Sequence, residues 1–169
     1  MRPRHLLMTA ICVCEFALLS PAFGQENAGR RGVGLTASVQ GAQLDIMMPI
    51  WVGDKTSIAP SVGLLWSEDV GSDLRLGLVP HFYFSRERFS PYVGGRLGAL
   101  ISTPSVGSSS TDLLLGWEAG GEYLLDDHVA FGVEAQLNMT KSGDHSSRFG
   151  NPGKWTINTG SAVFATVYF

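Results

Sequence analysis

Residues 128–140 read HVAFGVEAQLNMT. Val129, Phe131, Val133, Ala135, Leu137 and Met139 share one parity, and Ala130, Gly132, Glu134, Gln136, Asn138 and Thr140 share the other. Side chains of a strand alternate between two faces, so this period of two gathers the large apolar groups on one side of a sheet. A helix would instead need apolar residues three and four apart, with no glycine in its interior. The stretch is a strand.

Working outward from it, the same period recurs along the chain. Alternating runs cover Gly32 to Gln40, Ala42 to Val52, Thr56 to Ser67, Asp73 to Phe84, Pro91 to Ser102, Thr111 to Leu125, His128 to Thr140 and Trp155 to Phe169. In the fourth run Leu74, Leu76, Leu78, Phe82 and Phe84 oppose Asp73, Arg75, Gly77, His81 and Tyr83. In the last, Val163, Ala165, Val167 and Phe169 are spaced by two, with Thr166 and Tyr168 on the other face. After Gly24 no window sustains a 3.6-residue apolar period. Gly53-Asp-Lys55, Ser85–Ser90 and Asp126-Asp127 are short links, whereas SEDVGS, TPSVGSSS and KSGDHSSRFGNPGK are longer, and Gln40-Gly41 is a tight link on the long side. Short links at one end and longer ones at the other make an up-and-down meander. The expectation is one all-β domain, an eight-stranded antiparallel up-and-down barrel.

The polar face decides which side is inside. A soluble barrel of the lipocalin type, the rival fold, would stud its solvated face with charges, yet the lysines are Lys55, Lys141 and Lys154, all at links. Gly, Ser, Thr, Asn and Ala dominate the polar face instead, and such small residues fit a crowded lumen. Trp66, Phe82, Phe84, Tyr123, Trp155 and Phe169 lie on the apolar face near strand ends, as interfacial girdles do. Runs of this length match the roughly 9 to 11 tilted residues that cross a hydrocarbon layer. Closure leaves no open edge for lipid to meet. These readings point to a transmembrane β-barrel.

The first residues, MRPRHLLMTAICVCEFALLSPAFGQ, place Arg2 and Arg4 before an apolar run, followed by Ala22-Phe-Gly24. This is the pattern of a secretory signal peptide over 1–24, which leaves 25–169 as the barrel domain. Cys12 and Cys14 fall inside the leader, so the expected mature chain has neither disulfide nor thiolate chemistry. The whole sequence carries 12 Lys and Arg against 15 Asp and Glu. Removing Arg2, Arg4 and Glu15 leaves it mildly acidic, without the basic run that a nucleic acid partner would require.

SPYVGGRLGAL at 90–100, GWEAGGEYLLDDHVAFGVEAQLNM at 116–139 and the closing alternation to Phe169 resemble the small OmpA/OmpX-type outer-membrane β-barrel family. The resemblance implies the outer membrane of a Gram-negative cell, contact with outer-membrane lipid and lipopolysaccharide, and a monomer without a cofactor. It also implies a C-terminal assembly signal read by the barrel-assembly machinery, onto which Val163, Val167 and Phe169 map. Many members have glycine where Phe164 stands. The family hosts adhesins, integrity proteins and lipid enzymes alike, so the likeness bears on fold more than on activity.

Candidate chemistry lies in two places. The inward parity holds Asp45, Arg75, Arg96, Glu118, Glu122 and Glu134, with Arg96, Glu118 and Glu134 near mid-height on neighbouring strands. Charges in a poorly hydrated lumen need partners, so these residues are read as a salt-bridge network, with a narrow ion-conducting path as the alternative. His81 is read as a hydrogen-bonding group of the lumen, since no second ligand pair stands at useful spacing, and Asp126-Asp127-His128 as a turn. In the last long link, His145 and Ser147 are similar to the His-x-Ser pair of PagL-type lipid A deacylases, which would make the chain a lipid A-modifying hydrolase. Arg148 stands where that family has asparagine. The favoured reading is non-enzymatic: a structural or surface-interaction protein presenting residues 68–72, 103–110 and 141–154 at the cell surface.

Overall fold

The computed structural model describes residues 32–40 and 43–169; the leader and its two cysteines lie outside the described residues. Nine strand segments follow one another: β1 (Gly34–Gln40), β2 (Gln43–Met47), β3 (Ile50–Trp51), β4 (Thr56–Ser67), β5 (Gly71–Tyr83), β6 (Phe89–Pro104), β7 (Ser110–Leu124), β8 (Val129–Lys141) and β9 (Trp155–Tyr168). β2 and β3 are one stave of the wall. Met47 faces Ser61 and Ile50 faces Ile58 in the same antiparallel register on β4, and the Met48 N–H donates to the Pro60 carbonyl at 2.9 Å. Pro49 has no N–H to donate, and there the regular ladder lapses.

Each stave pairs with its sequence neighbour, β9 pairs with β1, and β2 pairs with β4, so the sheet closes into an eight-stranded antiparallel barrel. The registers also fix its tilt. Thr36 faces Met47, which faces Ser61, then Gly77, Gly98, Leu114, Thr140 and Thr156 in turn. Thr156 lies ten residues before Thr166, the residue that faces Thr36. A circuit of the wall therefore advances ten residues, a stagger that inclines the strands by about 40° to the axis.

The polarity is inside out. Leu35, Leu76, Leu97, Trp117, Val133 and Val163 are exposed, whereas Thr36, His81, Glu118, Glu134, Gln136 and Thr166 are buried. The aromatics assigned to the girdles, Trp66, Phe82, Phe84, Tyr123, Trp155 and Phe169, all face outward. Near the links Arg86 stacks over Trp51 at 4.0 Å and Arg88 over Tyr123 at 5.1 Å.

The links differ from expectation in length. SEDVGS is not a long loop: β4 and β5 stay paired up to Ser67 and Gly71, leaving residues 68–70 to reverse the chain. Gly71 makes this possible by taking φ 111°, a conformation other residues rarely adopt. The β6–β7 link is likewise reduced to residues 105–109, around Gly107 at φ 113°. Only the β8–β9 link, residues 142–154, is long among the links between described residues, and it folds inward over the barrel mouth.

Candidate functional site: a layered lumen

The lumen is built in three layers. At the mouth, Asp112 on β7 is fully buried and takes three hydrogen bonds from the β8–β9 link: the Gly143 N–H at 2.8 Å, the Ser146 hydroxyl at 2.9 Å and Arg148 Nε at 3.2 Å. The same Arg148 reaches across to Asp73 on β5 at 3.1 Å. One arginine thus ties the link to two staves. Beneath it lies a cavity of about 300 Å³ lined by Asp45, Arg75, Arg96, Asn138, Arg148 and Phe149 among others.

The middle layer carries the charges. Asp45 and Arg75 pair at 2.7 Å across β4, where the intervening inward residue is Gly63. Below them His81 Nε2 contacts Glu118 Oε1, and Arg96 Nε stands 3.6 Å from Glu118 Oε2, close enough for an ion pair and too far for a hydrogen bond. His81 and Glu118 meet across β6 because the residue between them is Gly94. A Cβ there would come within 2.7 Å of the imidazole and 2.9 Å of the carboxylate. Glu134 on β8 receives Tyr92 Oη–H at 2.8 Å and Gln136 Nε2–H. One nitrogen of His81 and one oxygen each of Glu118 and Glu134 lie within 4.8 Å of one another.

The lowest layer is aromatic. Tyr83 and Tyr92 pack in a tilted pair at 5.2 Å, Tyr92 lies 6.4 Å from Phe164 and 4.4 Å from His81, and Trp51 packs on Tyr83 at 4.6 Å. Here Glu122 accepts a hydrogen bond from Tyr168 Oη–H at 2.8 Å, and Thr36 and Thr166 share one at 2.7 Å. The space left among these groups is about 20 Å³, room for one water.

The six charged residues chosen from inward parity are thus spread in depth: Asp45 and Arg75 at the top of the middle layer, Arg96, Glu118 and Glu134 together beneath them, and Glu122 in the lowest layer. Their partners Tyr92, Gln136 and Tyr168 are not among the sequence candidates, nor are Asp73 and Asp112, which hold Arg148 at the mouth. Each stands on the inward parity of its strand, which was the available signal. His145 and Ser147 are exposed on the β8–β9 link, among the described residues no hydrogen bond joins them, and the serine that turns inward is Ser146. Outside the lumen, Asp126 in the β7–β8 turn accepts the His128 and Val129 N–H groups at 2.7 and 2.8 Å. Those bonds hold its carboxyl below the ordinary range.

No family model matches the sequence, and no curated protein matches it. Solved structures do. The crystal structure of Neisserial surface protein A superposes at a TM-score of 0.56 with 15% identity, over 81% of this chain and 93% of that one. The N-terminal β-barrel domain of Pseudomonas aeruginosa OprF superposes at 0.58 with 12% identity, over 81% of this chain and 95% of that one. The chain has the small outer-membrane β-barrel fold. In this small outer-membrane-type barrel the likeness is one of fold, while the lumen contacts described above are read from this chain alone.

Proposed function

We propose that the chain is an integral outer-membrane barrel of a Gram-negative cell, exported by its leader, with a structural and surface-interaction role. The observation that carries this reading is the inversion of polarity: an exposed apolar band outside and buried ionic and amide side chains inside. Such a surface would bind lipid and would be costly to leave in water. Val163, Val167 and Phe169 turn outward along β9, where the assembly machinery would read them. Residues 68–72, 103–110 and 141–154, which comprise three links and the strand ends beside them, would face outward to lipopolysaccharide, other ligands or neighbouring cells, and the wall, closed on itself, would serve as a monomer.

Membrane fractionation with unheated and boiled gel samples tests this. The protein should sediment with outer membranes and migrate differently before and after boiling. Recovery in the detergent-free supernatant would sink the assignment.

A further inference from the structure

The mid-lumen cluster is not balanced by the groups around it. Glu118 and Glu134 are both buried, while Arg96 is the one guanidinium at their level among the described residues and Arg75 is engaged by Asp45 nearer the mouth. Two carboxylates against one guanidinium leave one negative charge unmatched among the described residues of this layer, inside a nonpolar-coated wall. Uncompensated charge is costly there. Two atoms are also left without hydrogen-bond partners: His81 Nδ1, and Glu118 Oε2 on a side chain that is 1% exposed.

We propose that His81, Glu118 and Glu134 bind one divalent transition-metal cation of the zinc class inside the barrel. Imidazole with two carboxylates is a donor set that such ions favour, whereas magnesium and calcium prefer oxygen alone. The ligand atoms lie within 4.8 Å of one another, whereas ligands sharing one ion at bonds of about 2.0–2.2 Å stand roughly 3.5 Å apart, so the widest spacing closes by about an ångström and the direct His81–Glu118 contact opens when the ion enters. Tyr92 and Gln136 already orient the Glu134 carboxylate, as outer partners of metal ligands do. Access is from the mouth, since Arg96 both lines the upper cavity and borders Glu118. A dication there supplies the missing positive charge. Gly94 keeps the space between His81 and Glu118 clear of a side chain. No sequence motif marks the site because its ligands come from β5, β7 and β8 and meet only through strand pairing. This inference does not depend on what the links bind.

The folded mature chain, residues 25–169, in detergent micelles is titrated with zinc chloride by calorimetry and with cobalt chloride by visible absorption. One ion per chain is expected, undisturbed by a roughly hundredfold excess of magnesium. His81→Gln and Glu134→Gln should each weaken zinc binding by about tenfold or more while retaining the heat-dependent gel shift. The exposed pair His128→Ala and His145→Ala should leave binding unchanged. If the lumen variants lose the gel shift, the zinc-edge X-ray absorption of the loaded wild-type chain decides, with one imidazole and otherwise oxygen ligands expected. No binding by the folded wild-type chain, undiminished binding in His81→Gln, or a zinc spectrum without imidazole overturns the proposal.

Discussion

Beside several long inward side chains stands a glycine that makes room for it. Gly63 separates Asp45 from Arg75, Gly94 separates His81 from Glu118, and Gly120 lies under the Tyr92 ring, where an added Cβ would come within 2.8 Å. Phe164 extends the rule. Its ring occupies the space over Gly132, its partner on β8, so the departure from the family glycine is accommodated by a glycine across the ladder. Gly132→Ala should therefore overpack the floor and destabilise the barrel by about 1–3 kcal/mol, read as a lower urea midpoint in lipid vesicles. Phe164→Leu should recover part of that loss in the double variant, because the two sites share one volume. Additive effects would refute the pairing. The frequency of glycine on the polar face was visible in the sequence, but which bulky residue each one serves depends on register, which parity alone does not supply.

At the scale of elements, the strands were legible and the mouth was not. The runs Thr56 to Ser67 and His128 to Thr140 coincide within a residue with β4 and β8, because alternation is a local property of the chain. The inward fold of residues 142–154 depends on Asp112 and Asp73, about 30 and 70 residues away in sequence. Asp112→Ala would strand three donors at once, and hydrogen bonds to a charged group contribute about 1.5–3 kcal/mol each. Even a loss of about 3 kcal/mol overall raises the open population of the link by about a hundredfold. Trypsin should then cut after Arg148 far faster than in the wild type, while the barrel keeps its gel shift. Unchanged cleavage would mean that Asp112 does not hold the link. The β7–β8 turn gives a second test. Asp126 has a folded pKa below its ordinary value of 3.8, so its stabilisation is complete above that value and is lost as pH falls through the depressed one. Protection of the His128 and Val129 amides from exchange, taken relative to an unstructured peptide at the same pH, should fall over that acid window in the wild type and show no such step in Asp126→Asn.

For the whole molecule, the closed and inclined wall leaves an interior that side chains can fill, and this chain fills it unevenly. Water can enter the upper cavity beside Arg148, but the ion layer and then the cluster of Tyr83, Tyr92 and Phe164 lie in series below it. Barriers in series must all be removed before ions pass. The wild-type barrel in a planar bilayer should therefore show no discrete conductance steps. Arg148→Ala alone should remain silent, because loosening the mouth leaves the floor in place. Tyr92→Ala with Phe164→Gly opens the floor beside Tyr83 but leaves the Arg96–Glu118 pair across the lumen, and should give at most rare, small steps. Adding Arg96→Ala to those two changes should produce frequent steps, provided the variant still shows the folded gel shift. Steps in the wild type, or in Arg148→Ala alone, would show that the aromatic floor does not seal the barrel and would favour the narrow ion path through Arg96 and Glu118.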